Sequence, residues 1–354
     1  MRRIAILGAG IGREHLAALL DLPERWEVAA LCDLDLERAR EVALGRVPVS
    51  DDPEALIADA SVDVIDVCLP PHLHHDVSTR ALEAGRHVVC EKPLVPSLAE
   101  ADALLATAAR TGRHLFPVFQ YRYGPAMDRL RALMEAGLAG RAYTAALETH
   151  WDRRTDYYAV PWRGTWAGEN GGAVLGHAIH NHDLLTTILG PVASVQASVA
   201  TRVNEIEVED CAAIALTLAS GAVATSSITL GAAGDTSRLR IAFERLTVES
   251  GTAPYAPAED VWTFTARDRA DQAHVEEVLR GVPKGLSGYR GFFAAVADAL
   301  EGDGARAVPA EAGRASIELV AAIYASARSG ERVGLPQGEG SALYRGWRPG
   351  GDAS

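Results

Sequence analysis

The sequence predicts an α/β protein: a doubly wound parallel sheet in its first third, then an α+β domain with a large, open and mainly antiparallel sheet. Short aliphatic runs alternate with helical patterns as far as about residue 122. Beyond that point, longer strand-like segments follow one another across glycine-bearing turns. The chain has 354 residues, whereas a domain averages about 150. We therefore predict two domains, residues 1–122 and 123–354.

The first domain shows a regular alternation of strands and helices. Several of its helices end at a glycine that can adopt a positive φ, as Gly45, Gly85 and Gly112 do. The predicted strands are residues 3–7, 28–32, 47–49, 62–68, 87–90 and 115–118. The predicted helices are residues 13–21, 36–43, 53–58, 74–84 and 98–111. This βαβ order predicts parallel strands with helices on both faces of the sheet.

The second domain lacks this alternation and begins with strands. They are predicted at residues 142–148, 192–203, 211–218, 222–230, 238–243 and 261–265. Two helical patterns, residues 290–300 and 312–328, follow near the end of the chain. Consecutive strands joined by turns predict an antiparallel or mixed sheet.

Composition excludes some classes of partner. The 34 Lys and Arg residues against 47 Asp and Glu give a net charge of −13, which would repel nucleic acid and anionic lipid. No apolar run approaches the ~18 to 20 residues of a membrane span, so we expect a cytoplasmic protein with no membrane partner. The cysteines are too few and too scattered for a zinc pattern or a disulfide scaffold, so we expect free thiols.

The first predicted strand runs directly into a glycine-rich turn, residues 8–12 (Gly-Ala-Gly-Ile-Gly), and then into a helix. Such a turn places backbone N–H groups at a helix N-terminus, where they can hold the pyrophosphate of a dinucleotide. Glycine is required because a Cβ would hold the phosphates away. The GxGxG spacing is one residue short of the usual GxGxxG, and a tight turn without a ligand is the alternative.

Asp33 ends the second predicted strand, at the position where an acidic side chain binds the adenosine ribose in dinucleotide-binding folds. A carboxylate there would repel a 2′-phosphate, so NAD is expected and NADP is less favoured. Asp35 and Glu37 follow closely, and a helix-capping role for Asp33 is the alternative.

The fourth and fifth predicted strands end in residues 68–75 (Cys-Leu-Pro-Pro-His-Leu-His-His) and 90–93 (Cys-Glu-Lys-Pro). A doubly wound sheet binds its ligand at these carboxyl ends. Lys92 is the candidate catalytic group, because burial and a nearby cationic nicotinamide would each lower the pKa of such a lysine. Its amine could then exchange a proton with a substrate hydroxyl while a hydride moves to the cofactor. A solvated surface lysine is the alternative.

The sequence resembles the Gfo/Idh/MocA oxidoreductases, named for glucose-fructose oxidoreductase, inositol dehydrogenase and a rhizopine catabolism protein. The most specific match is residues 81–93, Ala-Leu-Glu-Ala-Gly-Arg-His-Val-Val-Cys-Glu-Lys-Pro. Further matches are residues 119–122 (Phe-Gln-Tyr-Arg), 162–163 (Trp-Arg), 171–175 (Gly-Gly-Ala-Val-Leu) and 322–327 (Ala-Ile-Tyr-Ala-Ser-Ala). The resemblance therefore covers nearly the whole chain.

The resemblance implies an N-terminal Rossmann domain, a C-terminal domain with a large open sheet, and NAD(P)-dependent oxidation or reduction of a sugar or cyclitol. It also implies that Lys92 is the catalytic lysine, that its bond to Pro93 is cis, and that Trp162 and Arg163 close over the dinucleotide. With the glycine turn, it gives the predicted cofactor-binding residues: Gly8, Gly10, Ile11, Gly12, Asp33, Leu69, Pro70, His74, Glu91, Lys92, Gln120, Trp162 and Arg163.

One family feature is missing from this sequence. The family usually carries a catalytic Asp four residues before a catalytic His, on a helix that follows a glycine-rich turn. Aligning residues 171–172 with that turn puts His180 on the His position, but the Asp position falls on Gly176.

Three polar residues, His177, His180 and Asp183, recur at a spacing that would place them on one helical face, whereas His182 points elsewhere. We expect His180 to be the second acid/base or substrate-orienting group, and His177 to fill part of the space left by the missing Asp. Structural histidines are one alternative, and a metal site built from two histidines and Asp183 is another. No metal is expected, because the family chemistry needs none.

The segment 151–166 combines aromatic faces with hydrogen-bonding groups, a mixture that suits sugars. Packing of a loop is the alternative. The predicted substrate-binding residues are Lys92, Arg122, Trp151, Tyr157, His177, His180 and Tyr289.

We therefore predict an NAD-dependent dehydrogenase or reductase that acts on a sugar, glycoside or cyclitol, with Lys92 and His180 as acid/base groups. Redox-assisted glycoside cleavage and a non-catalytic dinucleotide-binding regulator are the alternatives. We also expect a homodimer or homotetramer, since an open sheet would otherwise expose a large apolar surface.

Overall fold

The computed structural model describes residues 1–349 of the chain. Its strands are β1 (Arg2–Leu7), β2 (Trp26–Cys32), β3 (Val49–Ser50), β4 (Val64–Val67), β5 (His87–Cys90), β6 (Leu115–Pro117), β7 (Ala142–Asp152), β8 (Val192–Ala200), β9 (Cys211–Leu218), β10 (Val223–Thr229), β11 (Gly231–Phe243), β12 (Leu246–Glu249), β13 (Thr263–Ala266) and β14 (Val333–Gly334).

The helices lie between and after these strands. They are α1 (Gly12–Leu20), α2 (Leu36–Ala43), α3 (Pro53–Ala58), α4 (His74–Glu83), α5 (Leu98–Thr111), α6 (Pro125–Glu135), α7 (Trp166–Glu169), α8 (Ala173–Gly176), α9 (Ile179–Leu189), α10 (Gln272–Gly281), α11 (Gly288–Leu300) and α12 (Ala310–Ser329). Among the described residues, no helix is both long enough and apolar enough to cross a membrane. The four cysteines are free thiols, as predicted.

The chain divides into two compact units. Unit 1 contains Met1–Gln120 and Tyr289–Ile317, and unit 2 contains Tyr121–Gly288 and the chain from Glu318 onward. The division into residues 1–122 and 123–354 remains a prediction, and it differs from these units in the placement of Tyr121, Arg122 and Tyr289–Ile317.

Unit 1 holds the predicted parallel sheet, whose strand order among the described residues is β3-β2-β1-β4-β5-β6. Its central strand β4 is buried along its whole length, as a parallel strand covered on both faces must be. The chain leaves β1 and β4 in opposite directions, which opens a crevice at the carboxyl ends of these strands.

Local sequence signals explain where the unit 1 helices begin and end. The side chain of Ser97 accepts a hydrogen bond from the backbone N–H of Glu100 at the start of α5, and Gly112 ends that helix with φ +65°. Asp52 caps α3 in the same way, and Pro53 occupies its first turn. These caps satisfy helix-end groups that would otherwise lack partners.

Unit 2 holds the predicted large sheet, in the order β13-β12-β11-β7-β10-β9-β8-β14 within the described chain. Strands β7 and β10 pair in parallel and the other neighbours are antiparallel, so the sheet is mainly antiparallel as predicted. Buried and exposed residues alternate along β9 and β10. One face is therefore exposed, and small side chains cover its centre: Thr144, Ala146, Ala213, Ala215, Thr225 and Ser227.

Several element boundaries differ from the prediction. The strand expected at 192–203 ends at Ala200, because the following loop folds around Asp210, whose carboxylate accepts the backbone N–H groups of Arg202, Val203 and Asn204. Strand β7 continues to Asp152, which pairs with Gly231 of β11. Strands β12 and β14 and helices α6 and α10 are not among the predicted elements.

Candidate active site

The glycine turn between β1 and α1 leaves space for phosphate groups. Gly8 has φ +106°, and a Cβ there would lie 2.3 Å from the carbonyl oxygen of Cys68. A Cβ on Gly10 would meet no described atom within 4 Å, so a ligand can approach the backbone at that residue. The N-cap residue of α1 is Ile11, whose apolar side chain cannot accept the N–H groups of the first turn. The turn therefore fits the pyrophosphate of a dinucleotide.

Asp33 follows β2 and lies beside this turn. Its Oδ2 accepts the backbone N–H of Ala9 at 2.8 Å. Its Oδ1 accepts the backbone N–H of Asp35 at 2.9 Å and lies 2.6 Å from Nη2 of Arg38. Burial alone would raise the pKa of Asp33, but the hydrogen bonds from Arg38 and the two backbone groups lower it overall. The carboxylate is therefore ionised, as binding of ribose hydroxyls requires.

His74 connects the loops that follow β4 and β5. Its Nδ1 lies 2.8 Å from the carbonyl oxygen of Pro93, and its Nε2 lies 2.7 Å from the carbonyl oxygen of Leu69. Burial lowers the pKa of His74, while the two carbonyl groups and Glu91 oppose that shift. The ring holds together the two loops in which the sequence places cofactor-binding residues.

Lys92 lies at the carboxyl end of β5, one residue after Glu91. Its side chain is half-buried, and its bond to Pro93 is cis, as the resemblance implies. The backbone N–H of Lys92 donates to Oε2 of Glu91 at 2.9 Å. The lysine therefore lies at the edge of the parallel sheet where ligands bind.

Glu91 belongs to a buried charged cluster in unit 1. His15 of α1 lies between two carboxylates, with Nδ1 2.9 Å from Oδ2 of Asp66 and Nε2 3.0 Å from Oε1 of Glu91. The hydroxyl of Tyr289 donates to Oε1 of Glu91 at 3.4 Å, and Gln120 donates to that hydroxyl at 3.2 Å. Gln120, predicted to bind the cofactor, thus contacts Tyr289, predicted to bind the substrate, and Tyr289 in turn contacts Glu91.

Three residues of this region could offer metal ligands. One donor atom each from His15, Asp66 and Cys68 lies within 4.8 Å of the others. Burial raises the pKa of the Cys68 thiol, so the thiol keeps its proton. Nδ1 of His15 lies 2.9 Å from Oδ2 of Asp66 and 3.3 Å from Sγ of Cys68, so the three side chains form a hydrogen-bonded cluster as they stand.

In unit 2, His180 and His182 of α9 point in different directions, as the spacing predicts. The ring of His180 stacks on Tyr121, with 4.6 Å between centroids. Nε2 of His182 lies 2.9 Å from the hydroxyl of Ser226 on β10. Burial lowers the pKa of His182 to about 4, so this ring is neutral.

His177 lies between α8 and α9, where the helix is interrupted. It therefore does not share a helical face with His180, and that prediction is wrong. Helix α8 ends at Gly176, a poor helix former. The ring of His177 packs against Trp151 at 5.3 Å, and its Nε2 lies 3.4 Å from the hydroxyl of Tyr157.

Arg122 forms a bidentate ion pair with Asp183 of α9. Nε and Oδ2 are 2.8 Å apart, and Nη2 and Oδ1 are 2.5 Å apart. Burial raises the pKa of Asp183, and the guanidinium of Arg122 opposes that shift. Both Asp183 oxygens thus bind the arginine proposed from sequence as a substrate ligand.

Arginines and aromatic rings stack in the segment that follows β7. The guanidinium of Arg163 lies 4.0 Å from the ring centroid of Tyr157 and 4.7 Å from that of Trp162, whose side chain is 48% exposed. The guanidinium of Arg153 lies 5.0 Å from the ring of Trp151, which is buried. Of the two tryptophans, Trp162 therefore offers ring surface to a ligand and Trp151 does not.

Comparisons with known proteins agree with these features. Residues 2–119 match the family model described as an oxidoreductase family with an NAD-binding Rossmann fold. Residues 127–249 match the model of the GFO/IDH/MocA C-terminal domain. The chain belongs to the Gfo/Idh/MocA oxidoreductase family.

One curated relative is named for its action on a glucoside. The chain is 32% identical over 203 residues to the D-glucoside 3-dehydrogenase of Escherichia coli (strain K12), a match that covers 55% of this chain and 56% of that enzyme. The chain thus spans about half the length of this curated relative.

Two solved structures share the whole fold. The WlbA dehydrogenase from Bordetella pertussis, in complex with NADH and UDP-GlcNAcA, has 28% sequence identity and a TM-score of 0.81, and the match covers 95% of this chain and 99% of that one. Levoglucosan dehydrogenase in complex with NADH has a TM-score of 0.78 at 21% identity, with 95% and 99% of the two chains covered, and supports the fold alone.

The predicted site residues of this Gfo/Idh/MocA protein fall into both units. Unit 1 contains Gly8, Gly10, Ile11, Gly12, Asp33, Leu69, Pro70, His74, Glu91, Lys92, Gln120 and Tyr289. Unit 2 contains Arg122, Trp151, Tyr157, Trp162, Arg163, His177 and His180.

Sequence reasoning missed His15, Asp66 and Arg38 as site residues. Each carries only a weak signal in the sequence. His15 is a polar residue on the first helix, Asp66 is an acidic residue within an apolar strand, and Arg38 is an arginine five residues after Asp33. The acidic residue within a strand is the signal that could have been used, because a buried carboxylate requires a partner.

Proposed function

We propose that this protein is an NAD-dependent dehydrogenase that transfers a hydride between nicotinamide and a hydroxyl-bearing or carbonyl carbon of a sugar, glycoside or cyclitol. The observation that carries the proposal is the arrangement in unit 1. The open glycine turn, the ionised Asp33 and the half-buried Lys92 all lie at the carboxyl edge of one parallel sheet.

We assign cofactor binding and proton transfer to the following groups. The backbone N–H groups at the start of α1 would hold the pyrophosphate, and Asp33 would bind the ribose hydroxyls. Bound NAD supplies a carbon that accepts the hydride. In the oxidative direction, the amine of Lys92 would take the proton of the substrate hydroxyl while a hydride leaves the carbon that bears this hydroxyl, so that a C=O bond would form. We propose His180 as a second acid/base group and His177 as a substrate-orienting group.

The names of the relatives support a carbohydrate substrate. One relative is a D-glucoside 3-dehydrogenase, and the WlbA structure holds a nucleotide sugar with NADH. Stacked Arg163, Tyr157 and Trp162 in unit 2 are the kind of surface that binds sugar rings.

The test is an assay of sugars, glycosides and cyclitols with NAD and NADP, followed at the absorbance of reduced nicotinamide. Lys92→Met keeps the side-chain length and removes the amine, so it should lower kcat about 10²-fold or more. The matched control is Lys284→Met, an exposed lysine of unit 2, which should keep full activity.

Three outcomes would contradict the proposal. Unchanged kcat in Lys92→Met would remove the lysine from the mechanism. Release of an aglycone from a glycoside without net NADH would identify redox-assisted cleavage instead. Binding of NAD without hydride transfer to any compound of the panel would identify a regulator.

We further propose that another copy of the chain covers the exposed face of the unit 2 sheet, giving a homodimer or homotetramer. The support is the row of small residues at the centre of that face, including Ala146, Ala213 and Thr225, which would allow close packing of two sheets. The mass measured by light scattering should be that of an oligomer, and Ala213→Arg should dissociate this oligomer.

We also propose that the protein is cytoplasmic.

A further inference from the structure

The buried charged cluster of His15, Asp66 and Glu91 contains more ionisable groups than packing alone requires. His15 is fully buried, Asp66 is fully buried and Glu91 is 4% exposed. Three ionisable groups are thus removed from water together. Apolar residues of similar volume would stabilise the fold as well or better, since desolvation of a buried ion pair often exceeds its Coulombic gain.

The imidazole of His15 is cationic in this setting. Burial alone would lower the pKa of His15, but the charge of Asp66 and the hydrogen bonds with Asp66 and Cys68 raise it well above its ordinary value. The ring also faces Glu91 after β5, Tyr289 of α11 at 4.7 Å between centroids, and the apolar ring of Phe293 at 5.3 Å. One cation therefore separates two buried carboxylates.

Both oxygens of Glu91 are engaged. Oε1 contacts His15 at 3.0 Å and accepts the hydroxyl of Tyr289 at 3.4 Å. Oε2 accepts the backbone N–H of Lys92 at 2.9 Å. Rotation of this carboxylate would break contacts at both ends, so the position of the Lys92 backbone depends on the Glu91 carboxylate, which in turn depends on His15.

We propose that His15 is a positioning residue: by bridging Asp66 and Glu91, it holds the Glu91 carboxylate in the orientation that fixes the Lys92 backbone. The inference rests on the proposed function, in which Lys92 is the acid/base group. His15 touches neither substrate nor cofactor in this role and acts only through Glu91.

Removal of the cation has a defined consequence. Without His15, the carboxylates of Asp66 and Glu91 remain buried with no imidazole between them, and like charges favour protonation of one of them. A protonated Glu91 loses one of its acceptor sites. The loss of activity in His15→Gln should therefore be largest at low pH, and the acid limb of the kcat/KM profile should move to higher pH.

The test is a double-mutant cycle with the wild type, His15→Gln, Glu91→Gln and the double variant. If His15 acts through Glu91, His15→Gln should lower kcat about tenfold or more in the wild-type background but change it less than about threefold in the Glu91→Gln background. His87→Gln is the matched control: a half-buried histidine at the start of β5, the strand that precedes Glu91, stacked on His114. It should leave kcat and the pH profile unchanged.

A second readout makes the outcome independent of turnover. The Kd of NAD, measured by calorimetry on the same four proteins, should show the same coupling, and thermal unfolding reports stability separately. Equal effects of His15→Gln in both backgrounds, in kcat or in Kd, would overturn the inference and leave a merely structural role. A wild-type protein that binds NAD but transfers no hydride would refute the proposed function, while the Kd cycle would still decide the role of His15.

Discussion

The carboxylate of Asp33 and the guanidinium of Arg38 are paired at the end of β2, with 2.6 Å between Oδ1 and Nη2. Arg38 is about half exposed, with 53% of its side chain accessible, whereas Asp33 is nearly buried. An acidic residue at this position selects the ribose hydroxyls of NAD, and an arginine beside it can bind the 2′-phosphate of NADP. The chain thus carries both groups, with the acid neutralising the arginine.

Asp33→Ser should shift the cofactor preference toward NADP. The substitution removes the carboxylate that repels a 2′-phosphate and releases Arg38 to bind it. The kcat/KM ratio of NADP to NAD should rise about tenfold or more, the range expected for a hydrogen bond to a charged group. The matched double variant, Asp33→Ser with Arg38→Ala, should lose that gain. A single variant with an unchanged ratio would show that Asp33 does not determine cofactor choice.

His180→Ala and His177→Ala test the histidine roles in unit 2. His180→Ala should lower kcat about 10²-fold if the ring exchanges a proton with the substrate. His177→Ala should mainly raise KM, because this ring contacts Tyr157 and Trp151 and would orient the substrate. Steady-state kinetics on the preferred substrate separates the two effects. Unchanged turnover in both variants would remove both histidines from the mechanism.

The sequence predicted the parallel sheet well because each of its signals is local. The glycine turn, the alternation of strands with helices and the lysine after β5 are all visible within short windows. The cluster around His15 was missed because its members come from α1, β4 and β5, and only the tertiary fold brings them together. The break of the helix at His177 was missed because a 3.6-residue period continues through it.

Replacing one member of the Arg122–Asp183 ion pair should destabilise the fold, whereas replacing both members with apolar residues should cost much less. Asp183→Asn leaves the largely buried guanidinium without its carboxylate, and should lower the free energy of unfolding by about 3 to 5 kcal/mol. The double variant Arg122→Met with Asp183→Leu replaces both charges with apolar groups and should recover most of that loss. Chemical denaturation measures both. A double variant as unstable as the single one would show that the pair is favourable in itself.

Stability should fall as the pH is lowered from 6.5 to 4, with His182 as one cause. The pKa of this buried ring drops from 6.5 to about 4 on folding, so between these values the unfolded chain binds a proton that the folded chain does not. The stabilisation is complete above pH 6.5 and is lost progressively down to pH 4, where the difference amounts to about 3 kcal/mol. His182→Gln cannot titrate and should flatten the dependence of the unfolding free energy on pH in this window.

Because His182 contacts Ser226 on the sheet, the same substitution should leave the pH profile of kcat unchanged. An equal pH slope in wild type and variant would show that His182 does not titrate on unfolding.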